Sequence, residues 1–132
     1  MTAAELFAMP ARDLDTIVAA IVMGWKLTGH GDYLLPDGAC VGTECLPSYS
    51  MDGQAMIDVL ARLHDLHPNW RVEIETPHEN AGIIAVHLKG RPGEVNFLAG
   101  QRGCIARVPF VTVAELPRAV AVAAVLAMEE KP

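Results

Sequence analysis

Residues 46–67 read LPSYSMDGQAMIDVLARLHDLH, a polar turn followed by a long amphipathic pattern around which the other segments are arranged. At 100° per residue, the pattern predicts a helix with apolar side chains on one face and polar side chains on the opposite face. The apolar face comprises Ala55, Met56, Val59, Leu60, Leu63 and Leu66, and the polar face comprises Gln54, Asp58, Arg62 and Asp65. Asp58 and Arg62 are four positions apart on the polar face, and this spacing predicts an ion pair between them. Ser50 or Asp52 is placed to cap the helix, which should end before the proline that follows residue 67.

The chain before this central helix predicts one more helix and two short strands. Apolar spacing over residues 10–23 predicts a helix, which Gly24 is placed to end in a left-handed conformation. Alternating side chains with turns on either side predict strands at residues 25–28 and 33–35. Residues 39–43 show no periodic pattern and are expected to be irregular.

After the central helix, four segments predict strands. Strict alternation over Trp70–Glu75 predicts a strand with one solvent-exposed face. Gly82–Leu88 is apolar on both faces, which predicts a central strand. Residues 94–98 and 104–108 predict two more strands, and the tight hairpins between the late strands require antiparallel pairing. The predicted order α–β–β–α–β–β–β–β–α places the chain in the α+β class, with a mainly antiparallel sheet covered by helices.

The last predicted helix is slim and almost entirely apolar. Thr112 and Glu115 fit a capping box at its start, and the helix is expected to run to about residue 128. Small side chains occupy most of its surface, namely Ala119, Ala121, Ala123, Ala124 and Ala127. Such a helix lies close against a sheet or against a second subunit. The pattern therefore predicts core packing, a contact in a homo-oligomer, or both.

Composition and charge limit the classes of function. The 132 residues carry a net charge of −6 and 52% hydrophobic residues, which predicts a single folded domain. Acidic residues dominate the first half, whereas residues 89–107 carry four basic side chains and one acidic side chain. This balance argues against extended nucleic-acid binding but leaves a local patch for a small anion. No apolar run is long enough for a membrane span, and the first residues lack a secretory signal. We therefore expect a cytoplasmic protein whose three cysteines are reduced.

Three segments together resemble one known family. They are Val-Met-Gly-Trp at residues 22–25, Leu-Pro-Ser-Tyr-Ser at residues 46–50, and the alanine-rich segment from residue 112 with Pro-Arg-Ala-Val at residues 117–120. In this order and spacing they resemble the phage ABA sandwich domain over residues 11–128. The resemblance implies a three-layer α/β/α sandwich of single-domain size and a phage or prophage setting, and it supplies no catalytic residues. The chain departs from the family pattern at Met-Asp-Gly, residues 51–53, and in a longer hairpin region.

Two sets of cysteine and histidine residues are candidates for a metal site or a catalytic site. Cys40 and Cys45, together with His64 and His67, have ligand types that zinc accepts. Their spacing is atypical, however, and His67 is explained by the favourable interaction of an imidazole with a helix C-terminus. Free thiols and ordinary histidines are therefore the expected state, and we predict no metal and no cofactor.

A cysteine nucleophile is the second alternative. It would join Cys104 or Cys45 to His87 or His78. Such pairs depend on the fold, and the chain carries no local signature of this chemistry. We therefore predict no catalytic residues.

The turn before the central helix is the predicted ligand site. Ser48, Tyr49 and Ser50 lie where the helix exposes free N–H groups, which attract phosphate or carboxylate. Tyr49 or Trp25 would stack on a base, and two arginines, Arg102 and Arg107, would supply bidentate contacts. The structural alternative is that the aromatic rings pack at the edge of the core, Ser50 only caps the helix, and both arginines are solvated.

These observations lead to two functional hypotheses. In the first, the protein is a non-enzymatic phage accessory protein that sequesters a small anionic, nucleotide-type ligand such as a host immune signal. In the second, it is an interaction module that occupies a host or phage protein through the last helix or the acidic first half. Neither hypothesis requires a membrane or extended nucleic acid, and both allow a homo-oligomer.

Overall fold

A computed structural model of the protein describes residues 1–75, 81–88 and 104–129, and the structural statements below concern these ranges. The helices are α1 Ala3–Ala8, α2 Ala11–Ile21, α3 Gly53–Leu66 and α4 Leu116–Glu129. The strands are β1 Lys26–Leu27, β2 Tyr33–Leu34, β3 Cys40–Val41, β4 Trp70–Glu75, β5 Gly82–Leu88 and β6 Cys104–Phe110. Short 3₁₀ turns occupy Thr43–Cys45 and Val113–Glu115. The predicted α+β class is confirmed.

The strands form two small antiparallel sheets. The first has the order β1-β2-β3 and the second the order β4-β5-β6. In the second sheet Val72 pairs with Val86, and Ile84 pairs with Val108, so these side chains share one face. All of them contribute to the hydrophobic core. Antiparallel pairing is therefore confirmed, and the predicted strand at residues 94–98 lies outside the described residues.

Helix α4 lies at the centre of the core. Its side chains from Ala119 to Val125, together with Ala127, are buried, which agrees with the absence of a polar face. It contacts the second sheet through β5 and β6, and it contacts each of the other three helices. The predicted core packing of the last helix is thus confirmed. The predicted capping box is also present, with Thr112 and Glu115 bonding reciprocally.

Helix α1 was not predicted from the sequence. The Thr2 side chain caps it by accepting the backbone N–H of Glu5 at 3.1 Å, and Leu6 is completely buried. The other end is held by Arg118, whose Nη1 donates to the carbonyl oxygens of Phe7 at 2.9 Å and Met9 at 2.8 Å. A helix of six residues is marginal alone, so burial and this cap at its C-terminal end stabilise it.

Two local predictions from the sequence are wrong. Residues 39–43 are not irregular, because Cys40–Val41 pairs with β2 and a 3₁₀ turn begins at Thr43. Asp58 forms no ion pair with Arg62 within the described part of the chain. Arg62 instead reaches across to the end of α2, where its Nε donates to the carbonyl oxygen of Val22 at 3.2 Å. A carbonyl left open at a helix C-terminus competes effectively with a solvated carboxylate for the guanidinium.

The end of α2 follows the prediction made for Gly24, which has φ of 75°. A left-handed residue at this position closes the helix with a hydrogen bond from Trp25 N–H to the Ala19 carbonyl at 2.8 Å. Across the described ranges, none of the helices has the length and apolarity needed to cross a membrane.

Candidate functional site

The turn predicted to bind an anion is closed by contacts within the chain. Tyr49 and Ser50 are buried. The backbone N–H of Ser50 donates to Asp15 Oδ1 at 2.8 Å, and its hydroxyl donates to the Ala11 carbonyl at 3.4 Å. The helix cap comes from Asp52, which accepts the N–H of Ala55, rather than from Ser50. Asp15 therefore occupies the Ser50 backbone donor at which an anion was predicted.

Arg12 completes this internal arrangement. Its Nη1 lies 3.0 Å from Asp15 Oδ2, and its Nη2 donates to the Leu46 carbonyl at 2.9 Å. Longer hydrogen bonds reach the Pro47 carbonyl at 3.4 Å and the Ser48 hydroxyl at 3.5 Å. Asp15 is only 1% exposed, so a carboxylate and a guanidinium from α2 neutralise each other beside the turn. No local sequence pattern predicts this contact, because Asp15 lies 35 positions from Ser50.

The electrostatic environment keeps Tyr49 neutral. Burial, together with the nearby carboxylates of Asp58 and Asp15, raises the pKa of Tyr49 to about 12. The same two carboxylates would repel a phosphate placed beside Tyr49. The structural alternative stated for Tyr49, packing at the edge of the core, matches its inclusion in the buried cluster.

The other predicted ligand residues lie on different elements. Trp25 packs at a tilt against Tyr33, with ring centroids 5.5 Å apart. Arg107 is exposed on β6, opposite Ala85, on the sheet face that alternates with the core-facing residues. Arg102 lies outside the described residues. The structure thus groups residues 48–50 in one turn, and the ligand site formed by all six residues stays a prediction.

The candidate metal and nucleophile residues are also dispersed. Cys40 and Cys45 are exposed and free, and His67 stacks on Trp70 with ring centroids 3.8 Å apart. Within residues 1–75, 81–88 and 104–129, no group of three or more His, Cys, Asp or Glu side chains is placed to hold a metal ion. His64 lies on α3, in the groove described below. His78 is not among the described residues.

His87 belongs to a polar cluster on the outer face of the second sheet. Its Nε2 lies 3.6 Å from Glu73 Oε2, and Glu73 Oε1 lies 2.8 Å from Arg71 Nη2. The backbone of Cys104 pairs with His87 beside an irregularity in the β5–β6 register. This pairing concerns the backbone alone and establishes no nucleophile.

An apolar groove between α3 and β4 was not predicted. It has a volume of about 270 Å³ and is lined by Leu60, Leu63, His64, Trp70, Val72 and Ile74. The alternation of β4 places Trp70, Val72 and Ile74 on one face, and α3 supplies the opposite wall. Ile74 remains 45% exposed, and Ile57 on α3 is 53% exposed. An exposed aliphatic side chain at an apolar groove, such as Ile74, is typical of a surface that binds another molecule.

The sequence contains a partial signal for this groove. Ile74 belongs to the alternating apolar residues of β4, so the sequence pattern assigns it to the buried face. Its exposure becomes evident only when the position of α3 is known. Ile57 follows Met56 at the flank of the apolar face of the central helix, where periodicity alone does not separate core from surface. The groove therefore arises from the packing of α3 against β4, not from a motif.

No family model, curated protein or solved structure matches this chain. The resemblance to the phage ABA sandwich domain accordingly rests on the residues quoted above and stays a prediction.

Proposed function

We propose that this protein is a non-enzymatic interaction module that binds a partner protein in the groove between α3 and β4. The observation that supports this function is the exposure of Ile74, which lines the groove, together with the exposure of Ile57 on the helix that forms the opposite wall. Burial of two such half-exposed side chains on binding would contribute about 1 kcal/mol each. Trp70 lies at the buried side of the groove, and aromatic side chains in desolvated pockets commonly dominate binding energy.

The chemistry of the groove defines the partner. Its lining is aliphatic and aromatic, apart from the imidazole of His64. A suitable partner therefore presents aliphatic or aromatic side chains from a helix or strand, with polar groups at the margin. This surface replaces the last helix as the proposed contact, because the face of α4 is used within the chain.

Sequestration of a small anionic, nucleotide-type ligand is the alternative function. The contacts of Asp15 and Arg12 favour the interaction function over this alternative. A phosphate that approached the Ser50 N–H would displace a buried carboxylate bonded at 2.8 Å. It would also meet that carboxylate's negative charge. The exposed Arg107 is the described residue that still supports anion binding.

The biological setting and the complete architecture are part of the same proposal. The family resemblance supports a phage or prophage accessory protein acting in the host cytoplasm. It also supports a three-layer α/β/α sandwich for the whole chain. Ala85 and His87 are buried although they alternate with the core-facing residues of β5, and this supports a covering layer on the second face of the sheet.

Affinity capture with matched variants tests the interaction function. Ile57→Asp places a charge on α3 about one turn before Leu60, which lines the groove, whereas Leu27→Asp places the same charge at a residue of β1 that is 65% exposed. We expect wild type and Leu27→Asp to retain a partner protein at a constant ratio and Ile57→Asp to lose it. Equal retention by all three proteins would contradict the proposal. A rise in melting temperature with nucleotides, without a retained protein, would favour the anionic ligand instead.

A further inference from the structure

We infer that a second copy of this chain occupies the α3–β4 surface, joined along the outer edge of β4. The inference rests on the proposed function, because it assigns an occupant to the same groove. Strand β4 stands at the end of the order β4-β5-β6, so within the described residues no strand adjoins its outer edge. The backbone groups of an end strand are a template for pairing with another strand.

The charges of β4 are complementary to those of a second β4. Antiparallel pairing about a two-fold axis at Val72 places Arg71 opposite Glu73 of the second copy, and places Glu73 opposite the second Arg71. Within one chain these side chains already share a face, with Arg71 Nη2 2.8 Å from Glu73 Oε1. Opposite charges directly across an antiparallel pair stabilise it. The symmetry provides two such pairs.

The apolar face of β4 is complementary in the same register. Val72 meets Val72 of the second copy at the axis, and Trp70 lies opposite Ile74 on both sides of it. Because the axis is perpendicular to the sheet, both grooves lie on the same side of a continuous six-stranded sheet. The exposed Ile74 would pack beside Trp70, whose ring stacks on His67 at 3.8 Å. The exposed apolar surface of each chain would thereby be buried in the dimer interface.

Neighbouring registers are disfavoured by charge and by side-chain direction. If the second strand slides by two residues in one direction, Glu73 lies opposite Glu73 of the second copy. If it slides by two residues in the other direction, Arg71 lies opposite Arg71. Like charges directly opposite destabilise a strand pair. A shift by one places core-facing side chains opposite outward-facing ones, which the pleat does not allow. The register centred on Val72 is therefore the one that the sequence of β4 specifies.

Sedimentation velocity of the full chain over a range of concentrations tests the assembly. We expect wild type and the control Leu27→Asp to dimerise equally. Arg71→Glu and Glu73→Arg should each weaken the dimer about tenfold, because each creates two like-charged pairs. The double variant R71E/E73R restores opposite charges and should return the dimer to within about threefold of wild type. Because the double variant also restores the Arg71–Glu73 pair within one chain, thermal unfolding of both single variants followed by circular dichroism is measured alongside, and melting temperatures close to wild type exclude misfolding as the cause of the losses.

Several results would overturn the inference. A wild-type chain that is monomeric at every concentration would do so, as would a dimer insensitive to Ile74→Asp and to both charge reversals. If the chain is monomeric but retains another protein in an Ile57-dependent manner, the proposed function stands and the self-association fails. If neither a second copy nor another protein depends on Ile57 or Ile74, the proposed function fails as well.

Oxidative cross-linking tests the register itself. Val72→Cys, in a chain with Cys40→Ser, Cys45→Ser and Cys104→Ser, places two thiols at the axis within disulfide reach. Ile74→Cys in the same background lies opposite Trp70 and is the matched control. We expect an interchain disulfide from Val72→Cys and little or none from Ile74→Cys. Equal cross-linking of both, or cross-linking of Ile74→Cys alone, would contradict the register centred on Val72.

Discussion

Asp15 accepts a hydrogen bond from the backbone N–H of Ser50 at 2.8 Å and thereby connects α2 to the turn that begins α3. Both residues are buried, and the second carboxylate oxygen faces Arg12 at 3.0 Å. The Asp15 side chain thus satisfies the backbone N–H of Ser50, which would otherwise be buried without an acceptor before α3. The contact gives the acidic side chain of α2 a structural role in addition to its charge.

Removal of the Asp15 carboxylate should destabilise the protein. Asp15→Ala leaves the buried Ser50 N–H without its acceptor and Arg12 without its ion pair, which should cost about 1–3 kcal/mol. Urea unfolding followed by circular dichroism measures this loss. Asp15→Asn keeps an oxygen acceptor and should lose less. A free energy of unfolding for Asp15→Ala within about 0.5 kcal/mol of wild type would show that the contact is not structural.

Alkaline pH should destabilise the fold through Tyr49. Its pKa is about 12 in the folded protein against an ordinary value of 10.0, because burial and the nearby carboxylates of Asp58 and Asp15 disfavour the phenolate. The unfolded chain therefore loses this proton first. The contribution is fully present below pH 10.0 and is lost as the pH rises through about 12.

An ultraviolet titration of tyrosinate, combined with unfolding at several alkaline pH values, checks the effect of Tyr49. The chain contains two tyrosines, so Tyr49→Phe leaves Tyr33 as the remaining tyrosine. The variant should lose the component that titrates near pH 12 and should show a weaker decline in stability above pH 10. An unchanged titration curve would assign the high pKa to another group.

Gly24 should not tolerate a side chain. Its φ of 75° costs a non-glycine residue about 1–2 kcal/mol. An added Cβ would also lie 3.0 Å from Arg62 Nη2 and 3.3 Å from Pro36 Cγ. We expect Gly24→Ala to lower the free energy of unfolding by at least that strain, measured by urea denaturation.

Gly53 is the matched control for Gly24. It is the first residue of α3, and an added Cβ would meet no atom within 4 Å. Gly53→Ala should be neutral or stabilising by up to about 1 kcal/mol, because alanine restricts the unfolded chain and favours helix. Equal losses from Gly24→Ala and Gly53→Ala would contradict the conformational argument.

Arg118 should control the attachment of α1. Arg118→Met removes the donor shared by the Phe7 and Met9 carbonyls, which lie 111 and 109 positions away. Amide hydrogen exchange should accelerate most strongly within Ala3–Ala8, because this short helix depends on tertiary contacts. Arg107→Met, at an exposed position on β6, should leave that exchange unchanged. Uniform acceleration across the chain would instead indicate a global loss of stability.

Local rules account for the parts of the fold that were predicted correctly. The bounds of β4 and β5 follow from alternation and a short apolar run, and the turn at Gly24 follows from the chemistry of helix ends. Thr2 and Glu5 have the spacing of a capping box, which is the local signal that the sequence contains for the start of α1. The helix is too short for periodicity to identify it.

Long-range contacts account for what was missed. The roles of Asp15 and Arg62 depend on residues 35 and 40 positions away, and no local pattern encodes such pairings. Each of these side chains satisfies a backbone group that is distant in the sequence, whereas local spacing relates Arg62 only to Asp58. The groove has the same origin, since it exists only where α3 meets β4.

The central position of α4 has a consequence for biosynthesis. A ribosome releases the chain from its first residue onward, so the other three helices and both described sheets emerge before the helix that contacts them. Until that helix leaves the exit tunnel, the nascent chain exposes the apolar faces that will later enclose it. Stalled translation before residue 116 should therefore yield an aggregation-prone product that depends on chaperones.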